Sequence, residues 1–319
     1  MPSPRIGGVA DEDYAAGNSE IEKGFHMALN YQVFQHSYIG FNGTSTLFYG
    51  EEDAILIDAC FTLSDAHRLA ASLLETRKNI THIYISHFHP DHHFGLVVLE
   101  HAFPTAKIVT LPSVVKDIIY TSDEKIHLWG DMYGKDVPDR VVFPRPLWGD
   151  KLTVEGYDIE FSDDWDGDSA NNTMIWCPSL RVACGTDVVY NDAHVWTAES
   201  DLARRNKWRA CLRKLKEMNP RVVIPGHCSP EKLHLEDASG IDFTLKYLDV
   251  YDEVSPKANT GDELVEMMEE HFAGMKAIDF GLHWQARLLF PDSCSDRLAK
   301  LPGIFHAPDG EYQGEAARS

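Results

Sequence analysis

No two cysteines of this 319-residue chain form a C-x-x-C pair, the spacing of redox dithiols and zinc ribbons. The six that occur are Cys60, Cys177, Cys184, Cys211, Cys228 and Cys294. They read as buried free thiols of a protein kept in a reducing compartment, and none is assigned to catalysis. Basic residues are scarce: 29 lysines and arginines stand against 50 aspartates and glutamates, a formal charge of −21. Such an excess repels phosphate backbones, so nucleic acid is excluded as a partner. It disfavours a membrane surface as well. Long uncharged apolar runs are absent, which excludes a spanning helix. The opening MPSPRIGGVADEDYAAG lacks the apolar stretch of a secretory signal, so a cytoplasmic protein is expected. No G-x-S-x-G elbow occurs, which argues against a serine nucleophile of that type. No repeat of solenoid period is present.

What remains is globular composition, 44% hydrophobic and 25% charged, in a chain long enough to bury a core without cross-links. Residues 1–30 read as a polar arm. From residue 31 the character changes. STLFYG and AILIDA are short apolar strands split by the turn EED, and ITHIYIS and AKIVTL are further strands. Thr62 or Ser64 caps a helix carrying Leu69, Leu73 and Leu74 on one side, and FGLVVLEHAF has helical spacing. This alternation predicts an α/β layered domain. From about residue 138 the chain is strand-rich, with a hairpin over NNTMIWCPSLRVACGTDVVY turning at Pro178-Ser179. A helix over 201–218 and a last strand RVVIPGH follow. Residues 31–234 are read as one domain and 235–306 as a helical extension packed on it. In the extension, Phe243, Tyr247 and Tyr251 share a face, as do Leu264, Met267, Met268 and Phe272; both faces are read as core or subunit contact. Residues 307–319 are read as a loose tail.

The chemistry concentrates in SHFHPDHHFG, Ser86 to Gly95. His87 and His89 alternate, so in extended backbone both rings point the same way. Pro90 stops the strand, and a turn there swings Asp91 and His92 back over the same point. Gly95 lets the following helix approach closely. Imidazole and carboxylate donors converging at a strand-to-helix junction form a metal site. His93 is left to solvent or to the outer layer of the site.

Four separated stretches carry a resemblance to a known family. AILIDAC ends in Asp58, HFHPDH is the histidine motif, CGTDVVYN contains Asp187, and VVIPGH ends in His227. Together, over roughly Gln32 to Ser229, they resemble the metallo-β-lactamase superfamily of metallohydrolases, in particular its lactonase and lactamase branch. The resemblance implies an αββα sandwich, with two sheets face to face, helices outside, and the metal site at one edge. It also implies two divalent ions. The first would lie on His87, His89 and a third ligand, the second on Asp91, His92 and His227, with Asp187 bridging. Asp58 would accept a hydrogen bond from a ligand imidazole. The sequence departs at the third ligand, where the family usually has a histidine after a glycine. Here DWDGDSANN places Asp168 after Gly167, with Asp164 and Asp166 nearby. An oxygen donor there makes the site harder, so zinc is the expected ion, with iron or manganese as the alternatives.

The resemblance further implies a hydrolase whose metal-bridging hydroxide opens a small cyclic amide or ester, a lactam or lactone. Asp91 would orient the attacking oxygen and pass its proton to the leaving group. Tyr190, three residues past Asp187, matches a tyrosine that contacts the substrate carbonyl in similar lactonases. His194 lies further along the same loop as a candidate substrate contact. Trp165, Trp196 and Trp284 are candidates to line an apolar pocket. The alternatives are a thioesterase or acyclic esterase of the same fold, or an iron-dependent redox member of the superfamily. The expected partner is a small-molecule substrate, with the protein a monomer or homodimer.

Overall fold

The computed structural model of the protein describes residues 28–234 and 236–293. The expected arm up to residue 27, the tail from residue 307 and Cys294 lie outside the described residues. Among these, strands β1 (Asn30–Gln35), β2 (Thr44–Tyr49), β3 (Asp53–Ile57), β4 (Asn79–Tyr84), β5 (Lys107–Thr110) and β6 (Arg145–Pro146) form one sheet in that order. The first three run antiparallel, and β3 to β6 run parallel. Strands β7 (Lys151–Val154), β8 (Tyr157–Trp165), β9 (Asn172–Cys177), β10 (Val182–Asn191) and β11 (Val222–Cys228) form the second sheet. It is an antiparallel meander closed by the parallel pair β10–β11.

Residue alternation sets the layers. In β3, Ile55 and Ile57 share a core with Ile159, Phe161, Ile175, Val182 and Ile224 of the second sheet. Their neighbours Ala54 and Leu56 belong to a different core, with Leu69 and Leu73 of helix α1 (Leu63–Glu75). A strand buried on both faces reads as the unbroken apolar run AILI. Each such side chain taken from water contributes about 1.5–3 kcal/mol. Thr62 is the cap of α1, its Oγ1 accepting from Asp65 N at 3.1 Å, an interaction worth about 1 kcal/mol. Leu74, expected beside Leu69 and Leu73, is 60% exposed, because successive helix residues turn by about 100°.

Helices α2 (Pro90–His93) and α3 (Leu96–Ala102) follow β4. Helix α4 (Pro112–Tyr133) has no counterpart in the sequence reading. Its stripe Val114, Ile118, Ser122, Ile126, Trp129 and Tyr133 has helical spacing, but exposed Ile119 and Tyr120 blur it. On the far side of the second sheet, Trp208 of α5 (Leu202–Glu217) donates to Val188 O at 2.8 Å. Helix α6 (Ser239–Val254) is tied to β10 where Tyr190 N donates to Thr244 Oγ1 at 2.9 Å. Helices α7 (Gly261–His271) and α8 (Asp279–Leu289) follow. In α8, Phe280 lies 5.0 Å from Phe41, centroid to centroid, and Asp279 accepts from the Tyr38 hydroxyl at 2.5 Å. No helix among the described residues is long and apolar enough to cross a membrane. The architecture is the αββα sandwich expected from the sequence, and the ends of β3, β4, β8, β10 and β11 meet at one edge.

Candidate metal centre

Asp58 follows β3 in a left-handed conformation, φ 63°, a strain of about 1–3 kcal/mol for a residue with a side chain. Its carboxylate offsets this by holding three groups. Oδ1 accepts from Ser86 N, and Oδ2 accepts from Ser86 Oγ and lies 2.8 Å from His92 Nδ1. Pro90 then opens α2 and carries Asp91 and His92 back towards the strand end. Glycine at 95 is required by packing, since a Cβ there would sit 1.8 Å from Ala59 O. Glycine at 226 is required in the same way. A Cβ would meet Asp187 Oδ1 at 2.1 Å, so its absence is what admits the Asp187 carboxylate.

Two groups of donors result. One donor atom each from His87, His89, Asp168 and Asp187 lies within 4.8 Å of the others, and the same holds for Asp91, His92, Asp187 and His227. Asp187 belongs to both. Within the first group His89 Nδ1 is 2.9 Å from Asp168 Oδ2, and His87 Nε2 is 3.5 Å from Asp187 Oδ2. Within the second, His227 Nε2 is 3.2 Å from Asp187 Oδ2 and 3.3 Å from Asp91 Oδ2. His92 Nε2 and Asp187 Oδ1 are 3.1 Å apart yet misaligned, and neither makes a hydrogen bond. His87 Nε2 is likewise buried without a partner. Buried polar atoms are almost always hydrogen-bonded. Several orphans aimed at one point, with the outer ring nitrogens of His87, His92 and His227 already occupied, fit a pair of cations. His92 is held from outside by Asp58, and His227 Nδ1 lies 2.8 Å from Phe41 O. His87 Nδ1 lies 2.9 Å from Ser86 Oγ.

The electrostatics agree with that fit. Burial opposes protonation of His227, but Asp187 and Asp91 outweigh it and push its pKa up to about 10. His92 is raised well above the usual value against its burial, by Asp187, Asp58 and Asp91. Asp187 is held well below the usual carboxylate range despite burial, by His227, His92 and His87. Protons thus do in this geometry what cations would do in theirs, which is to neutralise a cluster of buried carboxylates.

The acidic loop is resolved by burial. Asp164 is exposed and Asp166 half-buried, whereas Asp168 is 1% exposed and anchored by its N–H donating to Asp187 O at 3.1 Å. Burial raises the Asp168 pKa, and Asp187 adds to this while His89 opposes it. Tyr190 stacks on His227, and its hydroxyl donates at 3.3 Å towards Asp168 Oδ2 and Asp187 Oδ2. His194 belongs to neither donor group. Its Nδ1 lies 3.1 Å from the Tyr247 hydroxyl, and burial lowers its pKa to about 4. His93 is buried with Nε2 3.2 Å from Phe88 O, so it does not face solvent. Trp165 is 1% exposed and bonds Ser162, as a core residue does, whereas Trp196 and Trp284 pack edge to face. Five cysteines are described, all free and buried.

Sequence reasoning missed Glu199. Its Oε1 lies 3.3 Å from His89 Nε2 and 3.8 Å from Lys125 Nζ of α4. Burial opposes its ionisation, but His89 and Lys125 hold its pKa below the usual range. Nothing in the surrounding AESD marks it, because its partners come from distant parts of the chain.

Residues 38–227 match the sequence profile of the metallo-beta-lactamase superfamily. Among solved structures, a metallo-beta-lactamase from Pontibacter korlensis is similar at 17% identity and a TM-score of 0.52, over 70% of this chain and 99% of that one. A metallo-beta-lactamase family protein from Thermus thermophilus is similar at 16% identity and a TM-score of 0.54, over 82% of this chain and 93% of that one. At such identities the likeness is one of fold. No curated protein matches the chain in sequence.

Proposed function

The chain belongs to the metallo-beta-lactamase superfamily, and from that premise we propose that it is a metal-dependent hydrolase that opens a small cyclic amide or ester, a lactam or lactone. The observation that carries this reading is the pair of buried donor groups sharing Asp187, with ring nitrogens and a carboxylate oxygen left unpartnered. Two divalent cations held there, zinc first and iron or manganese as alternatives, would supply Lewis acidity and acidify a water. His87, His89, Asp168 and Asp187 would hold one, and Asp91, His92, Asp187 and His227 the other.

The chain's own residues have separable tasks. Asp91 stays ionised despite burial because His92 and His227 lie against it. As an ionised carboxylate it can accept a hydrogen bond that orients the attacking water, and so lie on the path of the proton to the leaving group. Tyr190 keeps its proton, since burial and then Asp168 and Asp187 raise its pKa well above the usual value. It can donate a hydrogen bond to a carbonyl oxygen but cannot act as a base at neutral pH. His194, turned to Tyr247, would act by supporting the wall of the site.

The test is a panel of lactones, lactams, acyclic esters and thioesters, assayed on protein loaded separately with zinc, manganese and iron. We expect ring opening of at least one lactone or lactam, abolished by chelation and restored by the ion. Turnover confined to acyclic esters or thioesters would move the substrate class. No hydrolysis with any ion, together with an iron-dependent oxidation, would overturn the reading. The three carboxylates Asp91, Asp168 and Asp187 are what keep iron in the comparison.

A further inference from the structure

His87 and His89 present opposite nitrogens to the centre. His87 turns Nδ1 outward to the Ser86 hydroxyl, 2.9 Å away. His89 turns Nδ1 inward, 2.9 Å from Asp168 Oδ2, and Nε2 outward, 3.3 Å from Glu199 Oε1. The outward nitrogens of the other three histidines face Ser86, Asp58 and the Phe41 carbonyl. Glu199 is the group in the corresponding place behind His89, and the pair is close without the alignment of a full hydrogen bond. The carboxylate is steadied from α4 by Lys125, whose side chain is only 12% exposed and whose Nζ also lies 6.0 Å from the Phe88 ring.

We infer that Glu199 is a positioning residue of the metal centre: it accepts the Nε2 proton of His89, which fixes the tautomer that leaves Nδ1 free for the ion, and Lys125 fixes Glu199. A carboxylate in this place orients the ring and raises its basicity as a ligand. It also links α4 and the loop after β10 to the first donor group, so two covering elements are coupled to ion binding. This rests on the reading of the two groups as a metal centre.

The test measures the number of bound ions and the affinity for each, by chelator competition, in the wild type and in Glu199→Ala, Glu199→Gln and Lys125→Met. Melting of the metal-free proteins and the ligand-field spectrum of cobalt-loaded protein are recorded alongside. In Glu199→Ala, affinity for one ion should fall about 10–100-fold, as for other outer partners of ligand histidines, with the other ion held as before. The cobalt spectrum should change. Glu199→Gln, whose amide oxygen still accepts, should recover much of the loss, and Lys125→Met should show a smaller loss of the same ion. Wild-type affinities for both ions in Glu199→Ala would overturn the inference and leave the centre standing. So would equal losses of both ions in the Ala and Gln variants with an unchanged cobalt spectrum, which is the signature of a structural contact. If Glu199→Ala does not fold, unchanged affinities in Glu199→Gln and Lys125→Met would overturn it. A wild type that binds no ion overturns the centre itself and this inference with it.

Discussion

The second donor group leans on rigid neighbours and the first on adjustable ones. His92 rests directly on the Asp58 carboxylate and His227 on the Phe41 carbonyl, each at 2.8 Å. His87 reaches Asp58 only through the Ser86 hydroxyl. His89 relies on Glu199, whose side chain is 32% exposed, and Asp168 is held by contacts of 3.3–3.4 Å from Tyr190 and Asn172. A ligand that is already oriented loses less freedom when an ion binds, so the second group is the better organised of the two. The difference also locates adjustability. It lies on the side where an aspartate stands in place of the histidine usual in the family, and where α4 and the loop after β10 meet the centre.

The largest effect expected from breaking this comparison is at the residue common to both groups. Asp187→Ala should cost at least one ion, and activity should fall by more than the roughly 100-fold typical of losing an outer partner. Elemental analysis beside a rate measurement checks it. A variant that keeps two ions and its rate would mean Asp187 bridges nothing.

A smaller effect sharpens the asymmetry. Asp58→Ala should weaken the second ion about 10–100-fold and the first less, since it touches His92 directly and His87 through Ser86. Ser86→Ala should do the reverse, with a loss of about 10-fold or less on the first ion. Chelator competition reads both, and equal losses on the two ions would mean that the two groups are equally organised.

A separate effect, read on stability and not on affinity, is a pH dependence of the metal-free protein. The folded His227 pKa of about 10 lies above its unfolded value. Its contribution is therefore present in full below about pH 6.5 and is lost as pH rises through 10. Each proton held only by the native state costs about 1.4 kcal/mol per pH unit across that window. The metal-free melting temperature should fall from pH 7 to 10, and ion uptake should release protons and tighten over the same range. Calorimetry in buffers of different ionisation enthalpy measures that release. A metal-free protein that gains stability with rising pH would contradict the arrangement.

Most of the candidate centre was legible because its chemistry is local. H-x-H-x-D-H packs its donors into a few residues, and alternation followed by a proline stop dictates where they point. Asp58, Asp187 and His227 were legible through short strand-end motifs and not through any property of the residues alone. Helix α4 was obscured by Ile119 and Tyr120, two exposed side chains that disguise its buried stripe.

Sequence alone determined the layered α/β architecture, since apolar strands alternating with helices have few ways to bury both faces. It also determined the histidine-rich turn, since that depends on backbone geometry over ten residues. Tertiary structure decided which carboxylate of Asp164, Asp166 and Asp168 enters the first group, because the choice is made by burial and by the bond from Asp168 N to Asp187 O. It decided that His194 turns to Tyr247 and that Glu199 stands behind His89. Those pairings join residues far apart in the chain, and only the packing of the two sheets and their helices brings such residues within reach of one another.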